Sequence, residues 1–146
     1  MSTTPVTAPA ASPTRVRALA AAAAVVAAAL IWIVARAVLD IDLRTPDGPG
    51  STTTTALPFV NVVVATAVVS LLGWGLLTVL ERFTSRARPV WSAAATAVLV
   101  LSLFAPLFAE GLTTGNRITL VLLHLTVGAI LIPAFRREAA ERPTHA

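Results

Sequence analysis

The chain has 146 residues, of which 56% are hydrophobic and only 12% charged, and its formal net charge is +4 at pH 7. An ordinary soluble domain has about a quarter charged residues, so this composition, with a mean hydropathy of +0.82, excludes that class. The sequence contains no cysteine, which excludes disulfides, thiolate metal sites and thiol catalysis. The basic residues are spread over several short segments, which indicates topology signals and contacts with anionic lipid, so no nucleic-acid partner is expected.

Four apolar stretches are long enough to cross a membrane as helices. A helix needs about 20 residues to cross about 30 Å of hydrocarbon, and Arg36 is the single charged residue inside these stretches. The sequence predicts an all-α fold, because a span surrounded by lipid must satisfy its backbone amides internally. We expect an integral membrane protein, an antiparallel up-and-down four-helix transmembrane bundle in the lipid bilayer, with helices over residues 18–39, 57–80, 90–109 and 118–135.

The connecting segments carry turn and cap residues. Residues 1–14 are uncharged and rich in Ser, Thr, Pro and Ala, which predicts a disordered tail before a single membrane domain over residues 15–137. Residues 138–146 form the other tail. The first loop, residues 40–56, contains Asp, Gly and Pro turn residues and then a Ser/Thr run, which predicts a flexible polar lead-in to the second helix. Gly115-Asn116 offers a turn and an N-cap for the fourth helix.

The arginines orient the chain. The first loop has three aspartates against Arg44, and the third loop holds only Glu110 and Arg117. By the positive-inside rule both tails are therefore predicted to be cytoplasmic. Eight arginines lie before the first span, in the second loop and after the last span: Arg15, Arg17, Arg82, Arg86, Arg88, Arg136, Arg137 and Arg142.

A cleaved signal peptide is the alternative at the amino end. Arg15 and Arg17, the apolar run and the small-residue sequence Ala35-Arg36-Ala37 resemble a leader with a cleavage site, and cleavage would leave three spans. The apolar run exceeds the usual length of about 7–15 residues for a signal core, and an arginine just before the cut is unusual. An uncleaved first helix is favoured.

Small residues recur at helical spacing in three spans, where they let backbones approach closely. We expect each stripe to face a neighbouring helix, and the alternative is that one of them is an oligomer interface. The stripes are Ala20, Ala24 and Ala28 in the first span, Thr66, Ser70 and Gly73 in the second, and Ser92 with Thr96 and Ala93 with Ala97 in the third.

Polar residues enter the bundle near its predicted outer end. At about 1.5 Å per residue, Arg36, Asn61 and His124 all fall in the outer half of the membrane. Ionisable groups inside a membrane are expensive and usually turn inward to find partners. The sequence therefore predicts an outward-facing polar cluster of Arg36, Asp40, Asn61, Glu110 and His124.

Each of these residues also has a purely structural interpretation. Arg36 can pair with Asp40 at i, i+4 while stacking on Trp32. His124 can make an interhelical hydrogen bond as a packing contact, or it can titrate as a proton carrier or pH sensor; packing is favoured. Trp91, near the inner boundary, is expected to be an interfacial anchor.

No enzyme motif is present in the sequence. It has no pair of intramembrane carboxylates, no phosphate-binding Gly-Lys-Ser loop and no His-x-x-x-His metal motif. Ser102 is the serine whose depth suits a partnership with His124, but no acid is available to orient the pair. We expect no enzymatic activity, no metal and no cofactor.

Several short motifs resemble those of a known family. They are Asp40-Ile41-Asp42-Leu43, Gly73-Trp74-Gly75-Leu76-Leu77, Leu80-Glu81-Arg82, Arg86-Ala87-Arg88-Pro89-Val90-Trp91 and Leu123-His124-Leu125-Thr126-Val127-Gly128-Ala129. Together they resemble an uncharacterised actinobacterial family of small four-span membrane proteins, a domain of unknown function. The resemblance implies four helices in a bacterial plasma membrane and brings no activity or ligand.

Two functions follow as hypotheses. The first is a structural or accessory bundle that associates with itself, as a homo-oligomer, or with another membrane protein. The second is a small permease or pH-responsive sensor that uses the polar cluster around Arg36 and His124.

Overall fold

A computed structural model describes residues 12–48 and 51–137, which form four long helices with a β-hairpin between the first two. All four helices are long and apolar enough to cross a membrane. The elements are α1 (Pro13–Ile33), which continues as a π-helical turn (Val34–Val38), β1 (Arg44–Pro46), β2 (Thr54–Ala56), α2 (Phe59–Phe83), α3 (Ala87–Phe108) and α4 (Thr114–Arg137).

The helices form an up-and-down bundle, which confirms the predicted architecture. Helices α1 and α3 each pack against both α2 and α4, whereas α2 and α4 touch little across the diagonal. One buried cluster is centred on Leu77, Trp91 and Phe135, and a second on Val62 and Leu120. The buried interior is therefore narrow, and most apolar side chains lie outside it.

The outer surface of the bundle is apolar. Leu72, Val98 and Leu101 are each more than 60% exposed, and many other leucines and valines face outward with them. Soluble monomers rarely expose apolar patches above a few hundred Å², whereas hydrocarbon favours them. The four-helix transmembrane bundle follows from this surface together with the helix lengths.

Three helices, α1, α3 and α4, begin three to five residues earlier than their apolar stretches predict. The Ser12 hydroxyl accepts the Arg15 amide at 3.4 Å, so α1 starts at Pro13 and residues 12–14 belong to its cap and first turn. The α4 helix starts at Thr114, and the predicted N-cap residue Asn116 lies inside its first turn. Cap and polar residues extend a helix beyond the hydrocarbon because they satisfy its terminal amides. The rest of the two predicted tails lies outside the described residues.

The first loop contains an antiparallel hairpin, so the prediction of a flexible lead-in is wrong. Arg44 pairs with Ala56 and Pro46 with Thr54. The Leu57 amide donates to the Leu43 carbonyl at 2.8 Å, and the Leu43 side chain is 2% exposed. The threonines favour extended backbone, and a buried leucine at the base of the hairpin fixes it against the helices.

Two of the three small-residue stripes face the bundle, as predicted. Ala24 and Ala28 are fully buried on α1, and Ser70 is fully buried on α2. On α4, Gly128 accommodates the Leu99 side chain of α3, because a Cβ atom there would lie 2.6 Å from Cδ2 of Leu99. Small residues thus set the distance between neighbouring helices.

Candidate functional site

Polar groups gather at the two ends of the bundle. We call the end with the β-hairpin and the α3–α4 loop the hairpin end. The opposite end, where α1 and α3 begin and α2 and α4 finish, is the arginine-rich end. Among the described residues it has one carboxylate, Glu81, and seven arginines: Arg15, Arg17, Arg82, Arg86, Arg88, Arg136 and Arg137.

The five residues of the predicted polar cluster do not bond to one another. Arg36, Asp40, Asn61 and Glu110 are exposed, and His124 is half-buried. No hydrogen bond or ion pair joins any two of these five described side chains. A ligand site formed by all five stays a prediction.

Arg36 has a different partner from the one predicted. Its guanidinium donates to the Ile41 carbonyl at 3.2 Å and to Oδ1 of Asp42 at 3.4 Å. Asp40 has φ of +50°, so the chain leaves the helix there and turns back. This turn brings Asp42 to the arginine in place of Asp40, so the predicted i, i+4 pair is wrong.

Trp32 contacts the segment where the hairpin ends and α2 begins. Its indole N–H donates to the Leu57 carbonyl at 3.0 Å, and its ring meets Phe59 edge-on at 5.3 Å. These contacts fasten the end of α1 to the start of α2.

The His124 ring bonds within its own helix. Nδ1 lies 2.7 Å from the Leu120 carbonyl oxygen, one turn earlier on α4. A carbonyl only accepts, so Nδ1 carries the proton of this bond. The predicted interhelical hydrogen bond is therefore replaced by an intrahelical one.

Asn116 joins the hairpin to α4, a role that the sequence did not reveal. Its side chain is 1% exposed; Oδ1 accepts the Arg44 amide at 3.3 Å and Nδ2 donates to the Arg44 carbonyl at 3.0 Å. The Arg44 guanidinium in turn donates to the Thr54 carbonyl at 2.7 Å and lies 3.4 Å from Asp42. In the sequence, Gly115-Asn116 is typical of a turn. Because Arg44 is 72 residues away, nothing in the local pattern predicts that Asn116 contacts it.

Arg117 provides hydrogen-bond donors for the last backbone carbonyls of α3. Its guanidinium donates to the carbonyls of Pro106 at 2.9 Å, Ala109 at 3.0 Å and also Leu107. The last carbonyls of a helix have no partner within the helix, and a cation near them is favourable. Arg117 therefore has a structural role here.

Glu81 is shared by arginines from two other helices. Nη2 of Arg17 lies 2.7 Å from its carboxylate, and Nη2 of Arg88 lies 3.8 Å away. The side chain of Arg17 is 7% exposed and also donates to the Thr78 hydroxyl at 3.3 Å. This group connects the start of α1, the end of α2 and the start of α3.

Trp91 lies in the core, so its prediction as an interfacial anchor is wrong. It is 3% exposed, its indole N–H donates to the Gly73 carbonyl at 2.8 Å, and its ring lies 5.2 Å from that of Phe135. The indole also lies beside this glycine, because a Cβ at Gly73 would meet the Trp91 ring at 3.6 Å, an ordinary van der Waals distance.

The third small-residue stripe faces outward and does not pack on a neighbouring helix as predicted. On α3, Ala93, Thr96 and Ala97 are exposed, because Trp91 points into the core. The Ser92 hydroxyl oxygen is buried at the edge of the stripe and has no hydrogen-bond partner among the described residues. A shallow, wide-open groove follows this face, and it is lined by Ser92, Ala93, Thr96, Ala97, Val100 and Leu101.

A second cleft lies at the carboxyl end of α4. It is half open, with a volume of about 420 Å³, and is lined by Ile132, Pro133, Arg136 and Arg137. The two arginines are exposed, and neither makes an ion pair with another described residue. This cleft therefore places two cationic groups beside an apolar wall.

Four apolar helices with polar groups at both ends define a multi-pass membrane protein. The chain belongs to a family of unknown function, DUF6069, whose model matches residues 8–141. This match confirms the predicted relation to an uncharacterised family. No curated protein and no solved structure matches the chain.

Proposed function

We propose that this protein is a non-enzymatic accessory bundle of a bacterial plasma membrane that associates with a second copy of itself through α3. In this proposal the arginine-rich end, and with it both termini, faces the cytoplasm. Among the described residues that end has seven arginines and the hairpin end has three, and this excess supports the orientation through the positive-inside rule.

The outward stripe on α3 carries the proposal. The comparable stripes on α1 and α2 are buried inside the bundle, whereas Ala93, Thr96 and Ala97 are left on the surface. Between membrane helices, small residues allow close backbone contact and hydroxyl groups supply interhelical hydrogen bonds. A second α3 in the groove would pack against these residues and bring hydroxyl groups near Ser92.

The hydrogen bonds of Ser102 and His124, the candidate nucleophile and base, support the proposal that the protein is not an enzyme. The Ser102 hydroxyl donates to the Leu99 carbonyl at 2.7 Å, and His124 bonds to Leu120. Neither group is oriented toward the other as a nucleophile and base would be. The permease or sensor hypothesis ranks second, because it depends on a cluster whose members are not bonded to one another.

Disulfide trapping tests the self-association, and the cysteine-free chain is well suited to it. Ala97→Cys places one thiol in the groove, and Leu72→Cys places one on the exposed face of α2 as a matched control. Oxidation in native membranes should give a covalent dimer with Ala97→Cys and little with Leu72→Cys. Equal trapping at both positions would reflect random collision and contradict the proposal.

A bulky residue in the groove provides the complementary test. Ala97→Leu should weaken the dimer at least tenfold in detergent, because it prevents close backbone approach, and should leave the monomer folded. Unchanged dimerisation would refute the α3 interface. Capture of a different membrane protein by Ala97→Cys, without the dimer, would show that the groove serves another partner and would also overturn self-association.

A further inference from the structure

We infer that the cleft at the carboxyl end of α4 binds the headgroup of an anionic phospholipid. The site is formed by Arg136 and Arg137 on its polar side and by Ile132 and Pro133 on its apolar side. This inference is independent of the proposed association through α3.

Within the described part of the chain, no carboxylate pairs with the two arginines of the cleft. At the same end, Arg17 and Arg88 both contact Glu81. Arg136 and Arg137, in contrast, are exposed and make no hydrogen bond or ion pair with a described residue. Guanidinium groups bind phosphate oxygens in bidentate geometry, so the two side chains offer donors of the kind that a phosphodiester accepts.

The position of the cleft matches the amphipathic shape of a phospholipid. Leu131 and Phe135 are buried in the bundle, which keeps the last turns of α4 against the other helices. Ile132 and Pro133 lie about one turn before the arginines, toward the hydrocarbon, where an acyl chain begins.

A simpler role for the two arginines is to offset the partial negative charge at the end of α4. That role needs positive charge at the helix end but gives no preference among lipids. The measurement must therefore compare lipids, and it must compare the cleft with other arginines at the same end.

The test uses the delipidated full chain in detergent and measures lipid retention by native mass spectrometry. The probes are phosphatidylglycerol and phosphatidylcholine with identical acyl chains. The variant Arg136→Gln/Arg137→Gln should bind phosphatidylglycerol about 25-fold more weakly, at about fivefold per arginine. The control Arg82→Gln/Arg86→Gln removes two exposed arginines of the same end that do not line the cleft, and should change binding less than twofold.

Three results of the lipid comparison would overturn the inference. They are equal losses in the two double variants, an unchanged affinity in Arg136→Gln/Arg137→Gln, and equal binding of the two lipids by the unaltered chain. Displacement of the lipid by inorganic phosphate alone would also count against it, because the apolar wall would then contribute nothing. The single change Arg137→Gln, expected to weaken binding about fivefold, keeps the test available should the double variant not fold.

Discussion

Replacing Glu81 by glutamine tests the charge pair between α1 and α2. The change keeps the size of the side chain and an oxygen acceptor but removes the charge 2.7 Å from the Arg17 guanidinium. Because the Arg17 side chain is 7% exposed, water compensates its charge poorly. Glu81 is 32% exposed, which lowers the cost below the roughly 3–5 kcal/mol of a fully buried pair. We expect the free energy of unfolding to fall by about 2 kcal/mol.

Unfolding by SDS in mixed micelles, followed by tryptophan fluorescence, measures this loss. Glu110→Gln is the matched control, because that carboxylate is exposed and makes no ion pair with a described residue; its effect should stay below about 0.5 kcal/mol. In an Arg17→Gln background, Glu81→Gln should cost less than about 1 kcal/mol, since only the longer contact with Arg88 remains. Equal effects at Glu81 and Glu110, or the full cost in the Arg17→Gln background, would refute the coupling.

Three further substitutions test contacts between helices and loops. Asn116→Asp removes the amide donor to the hairpin backbone and should release the hairpin by about 1–3 kcal/mol, seen as faster amide exchange, whereas the reverse change Asp47→Asn, on an exposed side chain of the hairpin loop, should not. Arg117→Gln should lower the free energy of unfolding by about 1–2 kcal/mol, because the last carbonyls of α3 lose a charged donor; an unchanged thermal midpoint would contradict the capping role. Gly128→Val should cost about 1–3 kcal/mol by displacing the Leu99 side chain from its packed position, while Gly75→Val, whose Cβ would meet nothing within 4 Å, should cost at most about 1 kcal/mol. Similar losses would show that backbone preference alone matters.

The architecture could be predicted because its determinants are local in the sequence. Hydropathy over about 20 residues locates a span, and the four-residue spacing of Ala20, Ala24 and Ala28 identifies a buried face. For the small residues on α3, the same spacing gave a wrong prediction. Spacing shows that the residues share one face of the helix, but it does not show whether that face is buried or exposed. Burial of the adjacent Trp91 decided the direction.

The polar contacts could not be predicted because their partners are distant in sequence. Arg17 and Glu81 are 64 residues apart, and Asn116 and Arg44 are 72 residues apart. Composition could not show that the loop after Asp40 turns back, so Arg36 was assigned a carboxylate two residues too early. Contacts of this kind depend on how the helices pack and on the path of each loop.

Thiol labelling tests most directly whether the bundle crosses the membrane with its arginine-rich end in the cytoplasm. Thr52→Cys places a thiol at the hairpin end, and Ser85→Cys places one between α2 and α3; both side chains are exposed. In intact cells, a membrane-impermeant maleimide should label Thr52→Cys and should reach Ser85→Cys only after lysis. Labelling of Ser85→Cys alone would reverse the orientation, and labelling of both in intact cells would contradict the transmembrane bundle itself.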